Sequence, residues 1–240
     1  MIKKLINQND YFNLELINSI ESKFIYANKP INRLKNDNNS LRKDNHNKIQ
    51  EIKNLKNEIN SINNCKLKKD SKQIVLGDGD IDSKIMLIGS SPGEKEELTG
   101  KTYLGESGTL LEKMLIAINI KKQNIYTAYS INFRPPDDRK PSTEEIQRYG
   151  QFLKKHILIV DPKLIILMGS IATETLTGLS NKISNERGKW KEIIIGNKSY
   201  DIITTFSPSY LLRFPENKKY SWEDLKKIKQ KIIDLNLNIK

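Results

Sequence analysis

Two short stretches carry residue types that could do chemistry. Gly89-Ser90-Ser91-Pro92-Gly93 closes the apolar run Lys84-Ile85-Met86-Leu87-Ile88, and Ser207-Pro208-Ser209-Tyr210-Leu211-Leu212-Arg213 closes the strand-like run from Tyr200 to Phe206. Both therefore fall where parallel strands of an open α/β sheet would finish, the edge at which such folds place ligands. Glycines bracketing a proline just after a strand let the backbone turn sharply and present its amides. Such donors can hold a carbonyl or stabilise charge developing on it. Glu96 and Glu97 follow, then Tyr103 within Gly100-Lys101-Thr102-Tyr103-Leu104-Gly105. The plainer reading is that Gly93 and Gly105 merely turn the chain and Tyr103 packs in a core.

The elements that would position these stretches are legible from periodicity. Apolar runs at 84–88, 124–131, 163–168 and 193–204 alternate with helical spacing at 107–119, 143–159 and 222–235. That alternation predicts an α/β fold, a parallel sheet covered by helices. Pro141-Ser142-Thr143-Glu144-Glu145 supplies a cap hydroxyl followed by first-turn carboxylates, a helix start. Upstream, residues 8–28 read as an amphipathic helix broken at Asn28-Lys29-Pro30. Residues 35–72 are rich in Asn, Lys, Asp and Ser, with Ile49, Ile52, Leu55, Ile59 and Ile62 at three- and four-residue steps. That seam is too short for a sustained coiled coil, so a single exposed helix in a linker is expected. The division is a helical leader over 1–34, a linker over 35–72 and an α/β domain over 73–240.

Bulk properties bound the partners. The 240 residues carry a formal net charge of +12, which suits a polyanion such as DNA. A lysine-rich solvated surface would give the same number. The single cysteine, Cys65, excludes an internal disulfide and fits a reducing compartment. No apolar segment approaches the ~20 residues of a membrane helix, and no secretory signal is evident. A cytoplasmic monomer with no membrane contact is expected, and residues 1–72 are candidates for recruiting a protein partner.

Taken in order, the motifs resemble those of uracil-DNA glycosylases, specifically the iron–sulfur (type 4) branch. The resemblance runs from Cys65 to Leu225 and adds Val75-Leu76-Gly77-Asp78-Gly79, Arg134-Pro135-Pro136, Pro141, Gly169, Arg187-Gly188-Lys189-Trp190 and Trp222-Glu223-Asp224-Leu225. It implies a three-layer α/β/α sandwich around a central four-stranded parallel sheet. It also implies a DNA repair enzyme that flips uracil or a related base from the stack and hydrolyses its N-glycosidic bond. By the same resemblance Tyr103 stacks on the extruded base, the 90–93 backbone with Ser90, Ser91 and Gly93 binds it, and Glu96 helps orient water. The 207–213 loop would enter the minor groove, with Leu211 or Leu212 as the wedge and Ser209, Arg213 and Arg187 on DNA.

Several polar positions depart from that family. A carboxylate becomes Ser90, the asparagine that binds uracil becomes Tyr129, and the histidine opening the leucine loop becomes Ser207. The other histidines, His46 and His156, fall in the linker and on a helix surface. The four cluster-ligand positions read Ile62, Cys65, Phe133 and Tyr149, and one thiol cannot hold a four-iron cluster. No metal and no cofactor are expected. Three readings stay open: a glycosylase with a rebuilt pocket, a relative that binds DNA without cleaving, and a basic scaffold for a repair or replication partner.

Overall fold

The alternation of apolar side chains along the inner strands builds two faces at once. In the computed structural model, residues 38–63 and 65–237 are described, with side chains from residue 47 onward. The amphipathic segment expected over 8–28 lies outside the described residues. Six strands form one sheet: β1 (Gly77–Gly79), β2 (Ile85–Gly89), β3 (Tyr126–Tyr129), β4 (Leu164–Met168), β5 (Trp190–Ile195) and β6 (Lys198–Thr205). Their order is β1-β3-β2-β4-β6-β5. The inner four are parallel, as expected, and they are flanked by an antiparallel strand at each edge. The run read as 193–204 is in fact a hairpin, β5 and β6 turning at Gly196-Asn197, with Gly196 at φ +61°.

Nine helices are described: α1 (Asn38–Asn60), α2 (Lys66–Asp70), α3 (Glu94–Thr99), α4 (Gly105–Ile116), α5 (Thr143–Val160), α6 (Ser170–Thr177), α7 (Ile183–Glu186), α8 (Pro208–Arg213) and α9 (Lys218–Asp234). Ile85, Leu87, Leu164, Ile166, Met168 and Ile203 face one side and pack with Leu111 and Leu115 of α4 and Leu225 and Ile228 of α9. Their neighbours Met86, Ile88, Ile165, Leu167 and Ile202 face the other side, against Leu153, Ile157 and Val160 of α5 and Leu176 of α6. This period-two division makes the α/β/α sandwich. α5 starts where its cap predicts: the Glu145 amide donates to Ser142 Oγ at 3.3 Å, and the Ser142 amide donates to Glu145 Oε2 at 2.7 Å.

Two expectations are corrected. The helix within 35–72 is not simply exposed, because Leu55 and Ile59 are buried with Ile131, Phe133, Ile146 and Tyr149 in a third apolar cluster. That seam found its partner on the α/β domain itself. His156 is not a surface residue either. It is 1% exposed, its ring nitrogen lies 2.9 Å from the Tyr126 hydroxyl, and burial pushes its pKa down to about 3.

Candidate active site and nucleic-acid edge

The C-terminal ends of the parallel strands gather the residues singled out in the sequence. Gly89 ends β2, Tyr129 ends β3, and Ser207 follows β6, with β4 between β2 and β6. Two strand spacings separate the ends of β2 and β6, about 10 Å. Tyr103, Tyr129, Phe206 and Leu211 belong to a single cluster of buried side chains, so the two motif regions are physically continuous.

The inner wall is built from Gly89, Glu96, Tyr103 and Tyr129. Tyr103 sits in the left-handed region at φ 52°, a conformation that needs support from its surroundings. Three contacts supply it. The Tyr103 amide donates to the Tyr129 hydroxyl at 3.0 Å, and Lys122 Nζ donates to the Tyr103 carbonyl at 2.9 Å. The third is Gly108, where an added Cβ would fall 2.0 Å from that same carbonyl oxygen. Gly89 is required for a similar reason, since a Cβ there would meet the Tyr103 hydroxyl at 2.3 Å. The Tyr103 and Tyr129 rings lie 5.2 Å apart, tilted by 32°. Both rings are buried.

Glu96 holds this wall in place. One of its oxygens accepts the Leu104 amide at 2.8 Å and lies 3.5 Å from the Tyr129 hydroxyl, which donates to it. The other accepts the Gly93 amide at 3.2 Å, closing a cap on α3. Of the amides expected to face a base, that of Gly93 is thus already engaged. The Ser90 carbonyl accepts from the Ile131 amide at 2.9 Å and from Ser130 Oγ at 2.8 Å, which ties the 90–93 loop to the segment that follows β3. Ser91 is half-buried beside it. Burial, with Tyr129 and then Glu96 nearby, raises the Tyr103 pKa well above 10. Burial and then Glu96 raise Tyr129 likewise. Both phenols stay protonated near neutrality, and the buried Tyr103 hydroxyl has no hydrogen-bond partner among the described residues.

The outer edge is a helix rather than a loop. Ser207 caps α8 by accepting the Tyr210 amide at 3.3 Å, and Pro208 occupies its first turn. The helix separates the two leucines: Leu211 is 1% exposed and packs in the core, whereas Leu212 is 38% exposed. Ser209 and Arg213 are exposed, with Ser209 Oγ 3.2 Å from Ser207 Oγ. Arg187 is differently placed. Its Nε donates to Asp224 Oδ2 at 3.0 Å and its Nη2 donates to Asp224 Oδ1, while Thr205 Oγ1 donates to Asp224 Oδ2 at 2.8 Å. Asp224 is fully buried. Desolvation raises its carboxyl pKa in spite of this pairing. The pair ties α9 to the end of β6 beneath α8. The sequence motif Trp222-Glu223-Asp224-Leu225 contains Asp224 but gives it no role, because its partner lies 37 positions away.

The four family cluster positions also converge. Cys65, Phe133 and Tyr149 are buried in the third apolar cluster, with Ile62 packed against it. The Cys65 thiol lies 3.4 Å from the Tyr149 hydroxyl, and the Phe133 and Tyr149 rings meet edge-on at 6.5 Å. These residues do not fit a four-iron cluster, which needs four soft ligands where one thiol is present. Among the described residues no group of three His, Cys, Asp or Glu side chains is placed to hold a metal ion. Among them, too, no helix is long and apolar enough to cross a membrane.

Comparison with known proteins matches this arrangement. The sequence model of the uracil DNA glycosylase superfamily covers residues 76–228. A type-4 uracil-DNA glycosylase of Thermotoga maritima is 34% identical over 168 residues, 69% of this chain and 86% of that protein. Its counterpart in Archaeoglobus fulgidus is 28% identical over 184 residues, 75% of this chain and 92% of the relative. That of Saccharolobus solfataricus is 30% identical over 181 residues, 73% and 84% respectively. On motif order, sheet topology and these matches, the chain belongs to the uracil DNA glycosylase superfamily.

Proposed function

We propose that the protein acts in base-excision DNA repair as a DNA glycosylase, extruding uracil or a related damaged base and hydrolysing its N-glycosidic bond. One observation carries this reading. A buried aromatic wall at the ends of β2 and β3 is continuous with α8, which exposes Leu212 and Arg213 at the same edge. Leu212 fills the gap left by the extruded base, Arg213 and Ser209 hold phosphates, and Arg187 supports α8 from below. Tyr103 offers the stacking face, and Ser90, Ser91 and Ser207 are the polar groups at its rim. Glu96 acts as a positioning residue, since both of its oxygens already hold Gly93, Leu104 and Tyr129. The reaction adds a water oxygen to the sugar carbon as the carbon–nitrogen bond breaks. The base departs with the bonding electrons, and the proton that the water gives up ends on the released base. With the Gly93 amide engaged by Glu96 and Pro92 lacking one, the Ser90 and Ser91 amides of the 90–93 turn stabilise the departing charge.

The protein does this without an iron–sulfur cluster, since apolar packing of Ile62, Cys65, Phe133 and Tyr149 fills that region. It works as a monomer in the cytoplasm, and a protein partner is recruited through residues 1–72, whose helical seam around Leu55 and Ile59 is itself packed on the α/β domain.

A second reading, DNA binding without cleavage, is favoured by one feature. The Tyr129 ring stands 5.2 Å from Tyr103, in the space an extruded base would share. A base that stacks on Tyr103 must displace it. Incubating the protein with uracil-, hypoxanthine- and xanthine-containing oligonucleotides, followed by alkali, separates the two readings. Strand scission with wild-type protein supports the glycosylase. Scission only after Tyr129→Asn, which removes the ring and supplies an amide, supports the non-cleaving relative.

A further inference from the structure

Five planar groups form a ladder that passes through α8 at Tyr210. The Arg187 guanidinium carbon lies 5.3 Å from the Tyr220 ring centre and 5.7 Å from that of Phe206. Phe206 stacks on Tyr210 at 4.8 Å and 16°, and Tyr210 meets Phe214 at 4.9 Å and 39°. The ladder runs Tyr220–Arg187–Phe206–Tyr210–Phe214, is anchored at its second member, where Asp224 fixes the guanidinium, and reaches water at Phe214. Phe206 is 5% exposed and Phe214 is 44% exposed. Phe214 is also held through its backbone, its amide donating to the Tyr210 carbonyl at 2.9 Å.

An exposed phenylalanine is by itself unremarkable on a protein surface. This one differs in being ordered in advance, so stacking on it costs little conformational entropy. It stands two residues from exposed Leu212 and adjoins exposed Arg213, with exposed Lys218 and Lys219 following. Glu216 is the one acidic residue between Arg213 and Lys219. A partly exposed aromatic ring, an apolar neighbour and surrounding cations together match an unstacked nucleobase on a phosphate backbone.

We propose that Phe214 is a stacking platform for an unpaired DNA base next to the site of extrusion, working beside Leu212. This rests on the reading of α8 as the DNA-facing edge. The test uses the full chain and two duplexes: one fully paired, and one with 2-aminopurine opposite a stable abasic analogue. Wild-type protein should quench the 2-aminopurine and prefer the abasic duplex. Phe214→Ala should abolish the quenching and weaken binding to that duplex about tenfold, within the range for loss of one base–aromatic stack. Its affinity for the paired duplex should change by less than about twofold, and Phe214→Tyr should restore both signals. Unchanged quenching and affinity in Phe214→Ala would overturn the proposal. So would an equal loss on both duplexes that tyrosine does not rescue, because the ring would then only support the fold. If wild-type protein binds neither duplex at low salt, the DNA-facing reading fails first and this inference falls with it.

Discussion

The inner wall and the outer edge of the candidate site treat polar and apolar groups in opposite ways. Around Tyr103 and Tyr129, polar atoms are withdrawn from water and, apart from the Tyr103 hydroxyl, joined to one another through Glu96, Lys122 and backbone amides. Along Leu212–Phe214, apolar side chains are left in water although a buried cluster lies directly beneath them. Buried, mutually bonded groups hold a shape, whereas ordered apolar groups in solvent await a partner. Substitutions in the wall should therefore be read out as stability, and those at the edge as DNA binding.

The largest effect belongs to the wall. Tyr129→Ala should lower the unfolding free energy by about 3–5 kcal/mol in urea titration, the usual cost of truncating a buried aromatic. A loss below ~1 kcal/mol would mean that the wall is loosely packed and can admit a base without rearrangement.

The same rule extends to His156 on the opposite face of the sheet. Its folded pKa, about 3, lies below the unfolded value, so the unfolded chain takes up the proton first as pH falls. The stability held by neutral His156 is complete above about pH 6.5 and drains as pH falls towards its folded pKa. Between pH 6.5 and 5 the protein should lose roughly 1.6 kcal/mol, and His156→Gln should flatten that loss in urea midpoints.

Edge substitutions sit lower on the scale. Leu212→Ala should weaken binding to DNA with an abasic site about tenfold while shifting stability by less than ~0.5 kcal/mol. A comparable loss of stability would erase the contrast between the two regions. Smallest of all, Arg213→Ala should reduce the slope of log affinity against log salt by about 0.9, one phosphate contact. An unchanged slope would remove Arg213 from the interface.

How much of this was legible follows from where each partner lies along the chain. The inner strands and main helices showed as apolar periodicity because burial on both faces demands continuous runs. β1, only Gly77-Asp78-Gly79, has no apolar pattern and exists through pairing with β3. The α8 start was readable, since Ser207 followed by Pro208 is a cap and first turn, yet the segment resembles a loop motif. His156 shares a helical face with Leu153, Ile157 and Val160, so the helix period pointed inward. The bonds from Glu96 to Tyr129 and from Arg187 to Asp224 had no local signal. They join positions 33 and 37 residues apart that only the sheet order brings together.

Base release tests the account most directly. Wild-type protein in excess over a uracil-containing oligonucleotide, followed by alkali, should yield cleaved strands at the uracil position. Leu212→Ala should slow that release while leaving the urea midpoint in place. No scission on uracil, hypoxanthine or xanthine substrates, from protein that still binds abasic DNA, would contradict the glycosylase and leave a DNA-binding relative whose pocket Tyr129 has closed.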